Sequence, residues 1–163
     1  LRSGRAGDAT ANRRATSMKA YLPRTAAFTW SPVNMEAGSP MIATGTVAGA
    51  LDESFSNDSV LELWQLPELS VDEADAGSPR VAASVAASSR FNRIGWGFLH
   101  PEKPRGLLAA GLENGEVGVW DVDQLLNPAT AAQAQVLRNT MHKGSVRGLS
   151  FNRPQPNLSL IHI

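Results

Sequence analysis

The chain has 163 residues, fifteen basic and fifteen acidic side chains, a formal net charge of zero and no cysteine. That length suffices for a domain with a real core, and the charge balance lacks the electrostatic footprint of a nucleic-acid binder. The missing cysteine excludes disulfides, thiolate metal sites and a cysteine nucleophile, and no apolar run approaches the roughly 20 residues of a spanning helix, so any membrane role is expected to be peripheral.

Residues 1–17 carry Arg2, Arg5, Arg13 and Arg14 against the one acid Asp8 and show no apolar period. This is the composition expected of a disordered or non-native leader. It also fits a transit peptide, but no amphipathic stripe supports that reading.

From Met18 onward the chain breaks into short β-like runs separated by Gly, Pro, Asn, Asp and Ser, which predicts an all-β domain. The first four runs are 26–32 with Phe28 and Trp30, 41–46 with Thr44-Gly45, 60–66 with Trp64, and 80–85. A second cycle follows: 91–98 with Trp96, 106–111 ending on Ala110-Gly111, 116–120 ending on Trp120, and 134–138. A third opens at 145–154 and places Phe151 where the earlier cycles have Trp30 and Trp96. Between its second and third runs the first cycle carries the insertion 47–59, whereas the second has only the compact turn Glu113-Asn114-Gly115. The acidic, Pro-flanked stretch 67–79 reads as an exposed loop.

Four strands per cycle, an Asn-Gly turn and a strand closing on Trp120-Asp121 are the pattern of a propeller blade. The expected fold is an all-β WD-repeat β-propeller, incomplete, with about two blades plus the first strand of a third. Blades repeat at roughly 40–45 residues and rings hold about 4–8 of them, so a closed ring needs more chain than this.

The constellation with the clearest physical logic is the hydrogen-bond chain of such blades: a turn aspartate, a histidine before the next blade, a hydroxyl on the second strand and the tryptophan, each satisfying a neighbour's buried polar group. Here Asn114 takes the turn position, His142 precedes Lys143-Gly144, Trp120 is followed by Asp121, and Ala110 stands where the hydroxyl belongs. Asn114, Trp120, Asp121 and His142 are therefore expected to be structural, in an incomplete chain.

No catalytic, cofactor or metal site is expected. His100, His142 and His162 share no ligand-pair spacing and face no visible nucleophile. The stretch 111–115 is glycine-rich but lacks the Gly-Lys-Ser/Thr ending of a phosphate loop. Asp52, Glu53 and Asp58 match no calcium loop and read as a solvated cluster. The tryptophans fall at repeat-equivalent places and read as core.

The wording of several segments resembles one family: 25–32 with Phe28-Thr29-Trp30-Ser31-Pro32, 42–46 running into Leu51-Asp52-Glu53-Ser54-Phe55-Ser56, and Ile94-Gly95-Trp96-Gly97 with 111–115. They look like the amino-terminal propeller of the large outer-coat subunit of COPII vesicles, the Sec thirty-one family, and the Leu-Asp-x-x-Phe-Ser insertion is the specific part. The resemblance covers about 18–157 and implies part of a propeller of about seven blades. It implies a non-enzymatic scaffold in endoplasmic reticulum to Golgi transport, cytoplasmic and peripheral at coated vesicles and exit sites. The implied partners are a small propeller subunit, other coat subunits and, through regions outside this chain, the inner coat; no cofactor and no nucleic acid are implied. Residues 1–17 and 158–163 do not resemble the family and are expected to be a leader and a non-native tail. The alternatives are another WD-repeat interaction adaptor and, last, an enzyme with a propeller appended.

Overall fold

The computed structural model describes residues 22, 24–32, 39–47, 58–67, 78–97, 100–152 and, for the backbone only, 159–162. The leader 1–17, the insertion segment 51–56 and the acidic stretch 68–77 lie outside the described residues.

Two four-stranded antiparallel sheets follow one another in the chain, each with its strands in sequence order. The first holds β1 Ala26–Trp30, β2 Met41–Thr46, β3 Val60–Gln65 and β4 Arg80–Ala86. The second holds β5 Phe91–Gly97, β6 Leu107–Leu112, β7 Val117–Asp121 and β8 Gln135–Asn139. Each expected strand is present to within a few residues at its ends. A hairpin of β9 Gly148–Phe151 and β10 Ser159–His162 follows, with Phe151 opposite Ser159 and Gly148 opposite His162.

The registers of the two sheets coincide. Trp30 faces Ile42 and Phe28 faces Thr44 in the first; Trp96 faces Leu108 and Ile94 faces Ala110 in the second. Thr44 lies opposite Glu62 and Ala110 opposite Gly118, which makes Trp64 and Trp120 equivalent two residues further on. Because side chains alternate across a strand, each sheet has a face towards the preceding sheet and a face towards the following one.

The core lies between the sheets. Ala43, Leu61 and Leu63 on the following face of the first sheet meet Phe91, Ile94 and Trp96 on the preceding face of the second, all buried. Burying one such large side chain is worth about 1.5–3 kcal/mol. Close approach depends on a glycine at one repeated place: a Cβ on Gly45 would lie 2.5 Å from the Phe91 ring and 2.8 Å from Ile94 Cδ1. Gly111 holds the same place in the second sheet, where a Cβ would lie 2.5 Å from Val146 Cγ1. There Val146 and Leu149 close a smaller cluster with Ala109 and Val117.

The sequence pattern did not show the link between β7 and β8. It forms a five-residue helix, α1 Val122–Leu126, and a 3₁₀ turn, Ala131–Gln133. Val122, Leu125 and Ala134 join the inter-sheet core, and both α1 and the 3₁₀ turn pack against β4. The sheets converge at β1 and β5, and this link fills the space between them further out.

Candidate functional site

The best-defined polar constellation surrounds the turn between β6 and β7. Gly115 has φ +89°, a backbone conformation that favours glycine, and a Cβ there would meet the carbonyl oxygens of His142 and Gly144. Asn114 rigidifies the turn through its Oδ1, which accepts from Glu116 N at 3.0 Å, an Asx-type bond.

Glu116, next in the chain, is a buried acid with 2% exposure. A carboxylate so placed must be hydrogen-bonded or its desolvation is not offset. Ser88 Oγ donates to Oε2 at 2.7 Å, Arg138 Nε donates to Oε2 at 2.9 Å, and Gln135 Nε2 donates to Oε1 at 3.2 Å. Asn114 Nδ2 donates to Ser88 Oγ at 3.4 Å and closes the circuit. Burial pushes the Glu116 carboxyl pKa up, but the hydrogen bonds from Ser88, Arg138 and Gln135 and the Arg138 charge outweigh it and hold the group below the ordinary value of 4.5. One carboxylate thus joins the β6–β7 turn, the outer strand β8 and the β4–β5 connection between the two sheets.

The four residues singled out from sequence lie in two places. Asn114 and His142 meet at the turn, where the His142 carbonyl lies against Gly115. Ser145 Oγ donates to the Glu113 carbonyl at 2.7 Å and Val146 N to the Leu112 carbonyl at 3.1 Å, so the segment leading into β9 is laid along the turn by one side-chain and one backbone hydrogen bond. Trp120 and Asp121 sit at the far end of β7. The Trp120 ring packs 6.2 Å from the Phe91 ring at 45° and covers Gly118. Asp121, 3% exposed, is the N-cap of α1: Oδ1 accepts from Asp123 N at 3.0 Å and Gln124 N at 3.3 Å, and Oδ2 pairs with Lys103 Nζ. Among the described residues the side chains of Trp120 and His142 form no hydrogen bond with Asn114 or with each other.

The tryptophan–hydroxyl bond of a WD-type blade occurs in the first sheet instead. Trp64 Nε1 donates to Thr44 Oγ1 at 2.9 Å, with both residues buried. Arg24 stacks over the Trp64 ring at 5.4 Å and pairs with Glu62 at 3.0 Å. Ala110 replaces Thr44 and Gly118 replaces Glu62 in the second sheet, so those two positions offer Trp120 neither a hydroxyl nor a carboxylate, and its ring lies over the bare glycine. Ser88, Glu116, Gln135 and Arg138 were not singled out from sequence. Their one signal was an acid opening an otherwise apolar strand, which must be partnered if the strand is buried.

None of these groups is arranged for chemistry. Among the described residues no group of three or more His, Cys, Asp or Glu side chains is placed to hold a metal ion. His100 Nδ1 accepts from Glu102 N at 3.3 Å within its own loop. Asp58 is described, whereas Asp52 and Glu53 lie outside the described residues. No helix among the described residues is long and apolar enough to cross a membrane.

No protein-family model matches the chain. Among curated proteins it is 58% identical over 142 residues to protein transport protein SEC31 of Mycosarcoma maydis, covering 86% of this chain and 10% of that protein. It is 44% identical over 137 residues to protein transport protein sec31 of Aspergillus terreus, covering 84% of this chain and 10% of that protein. A chain from a solved structure of the outer-coat vertex of COPII on membranes superposes with a TM-score of 0.58 at 33% identity, covering 83% of this chain and 30% of its own length. A chain from a structure of the COPII coat assembled on membranes gives the same score and identity, with 17% of its length covered. The chain spans about a tenth of the length of these curated relatives, and over that span it belongs to the SEC31 family of the COPII outer coat.

Proposed function

We propose that this chain forms part of a non-enzymatic scaffold in the outer layer of the COPII coat and serves vesicle transport from the endoplasmic reticulum to the Golgi. The observation that carries the reading is identity of 58% across 86% of the chain to a protein-transport SEC31, together with superposition on a chain of the outer-coat vertex. The propeller segment is 18–157. Its partners are a small propeller subunit and the other outer-coat subunits, with inner-coat contacts made by segments of the longer protein, and its place is peripheral, on the cytoplasmic side of exit sites and coated vesicles. Within it, Asn114, Trp120, Asp121 and His142 hold the blade together and do not bind a ligand. This is consistent with Asn114 bonding the turn at Glu116 N and Asp121 capping α1.

The experiment is a chimera: the corresponding segment of the full-length Mycosarcoma maydis SEC31 is replaced by residues 18–157, and cells depleted of their own SEC31 are tested for secretion and for recruitment of the chimera to exit sites. The expected result is support of both. A chimera that is expressed and folded yet absent from exit sites refutes the reading.

A further inference from the structure

A chemically labile dipeptide sits in the polar circuit around Glu116. Asn114-Gly115 is the single Asn-Gly pair among the nine asparagines of the chain. The turn demands that glycine, since Gly115 has φ +89° and a Cβ there would collide with the His142 carbonyl oxygen. A glycine nitrogen is also the least hindered nucleophile that an asparagine can have as its neighbour. In an open chain such a pair cyclises: the Gly115 nitrogen attacks Asn114 Cγ, a C–N bond forms, the Cγ–Nδ2 bond breaks, and ammonia leaves with the proton lost from the Gly115 nitrogen. Water then opens the cyclic imide at one carbonyl or the other and leaves aspartate or isoaspartate. In the folded chain the reacting groups are engaged elsewhere. Gly115 N donates to the Leu112 carbonyl at 3.2 Å, Asn114 Oδ1 accepts from Glu116 N at 3.0 Å, and Asn114 Nδ2 donates to Ser88 Oγ at 3.4 Å. A carboxamide tethered at both ends cannot swing its carbon onto the neighbouring nitrogen without giving up a bond.

We propose that Asn114 is a site of slow, irreversible deamidation, gated by the Ser88–Glu116 contact, and that its conversion to a carboxylate unlatches the junction between the two sheets. Water is the one co-reactant, and no enzyme is needed. Ser88 belongs to the β4–β5 connection, so the tether on Asn114 is released when the junction opens locally. The product keeps the junction open. Ser88 Oγ has one hydrogen, which it gives to Glu116 Oε2 at 2.7 Å, and a carboxylate at position 114 has no hydrogen to give Ser88 in return. It also sets a second negative charge beside a carboxylate that is 2% exposed, where like charges are poorly screened. Isoaspartate adds a backbone atom to a turn whose register is fixed by Gly111 opposite Val117. Asn127 marks the contrast within the same stretch of chain. It too is exposed and accepts a backbone N–H, from Ala129 at 3.1 Å, but the next residue is Pro128, whose nitrogen carries no hydrogen and cannot form the imide.

The test uses the full-length chimera described above and reads chemistry, not transport. The purified chimera is held in mildly alkaline buffer and sampled over days, each sample being digested with trypsin and compared with one digested at the start. The peptide 106–138 contains both Asn114 and Asn127 and no internal Lys or Arg. A gain of about one mass unit is expected at Asn114 and none at Asn127, with the isoaspartate fraction labelled by an isoaspartate-specific methyltransferase. A synthetic peptide of residues 111–118 sets the rate of the open chain and should react at least ten times faster than the folded chimera. Ser88→Ala should raise the rate in the chimera about tenfold, the gain in local opening expected when a hydrogen bond to a charged group is lost. Arg138→Gln, which alters a side chain that is 59% exposed and so spares the core, should raise it as well. In the Asn114→Asp chimera, hydrogen exchange at residues 88–91 and 113–117 should quicken about tenfold, while exchange in the rest of the protein stays as in the unmodified chimera. A folded chimera that reacts as fast as the peptide, a rate that neither Ser88→Ala nor Arg138→Gln raises, or an Asn114→Asp chimera with unchanged exchange at the junction overturns the proposal.

Discussion

Replacing Glu116 by Gln tests whether a buried carboxylate joins the two sheets. The amide keeps the shape but brings an NH2 group against donors that all point at an acceptor: Ser88 Oγ, Arg138 Nε and Gln135 Nε2. Hydrogen bonds to a charged group are worth about 1.5–3 kcal/mol each. They are not additive, however, and Arg138 has 59% of its side chain exposed, so its share is screened by solvent. A net loss of about 2 kcal/mol is expected, which for a chain of this length lowers Tm by about 4–8 °C. Urea unfolding of wild type and Glu116→Gln measures it. The pH dependence carries the sign: a carboxyl pKa held below 4.5 in the folded state means the contribution is complete above about pH 4.5 and is lost as pH falls through the depressed folded value. The two unfolding curves should therefore converge in acid. A difference under about 0.5 kcal/mol at pH 7, or one that persists unchanged below that window, refutes the reasoning.

Further substitutions probe the repeated positions. Thr44→Val removes the acceptor of the buried Trp64 indole N–H and should cost about 1–3 kcal/mol in urea unfolding. Ala110→Thr, the reverse change in the other sheet, should not create a tryptophan bond; Ala110 is fully buried, and overpacking should cost about 1–3 kcal/mol, read as a lowered urea midpoint. Gly45→Ala and Gly111→Ala should each destabilise, the second more, because a Cβ at 111 lies 2.7 Å from the Val146 carbonyl oxygen, which moves less freely than the Phe91 ring; comparing the two midpoints checks the order. Asp121→Ala removes the α1 cap and leaves Lys103 without its partner, a loss of about 1–2 kcal/mol, whereas Asp121→Asn keeps the cap and should lose less.

The strands were legible because apolar runs of about six residues bounded by Gly, Pro and Asn leave few alternatives, and because the two cycles repeat in order: Trp30 and Trp96, Gly45 and Gly111, Trp64 and Trp120 do face equivalent partners. The helix α1 was hidden because five residues are too few to show a helical period, and its cap, Asp121, is also the last residue of β7. The polar circuit was hidden for a different reason. A motif fixes attention on the positions where a bond usually forms, but burial requires only that some partner be found. In the first sheet the usual positions, Thr44 and Trp64, are bonded; in the second, acid and base stand at Glu116 and Arg138, which are 22 residues apart and adjacent only once β7 and β8 pair.

The link between β7 and β8 has a mechanical consequence. Two sheets that approach most closely at β1 and β5 could rock about that line like leaves on a spine. Val122, Leu125 and Ala134, wedged further out against β4, act as a spacer that sets the opening angle and resists both closing and splaying. In a ring of sheets that angle is the wedge each unit occupies, so the size of three buried side chains in a short helical link helps to decide how many units complete the circle.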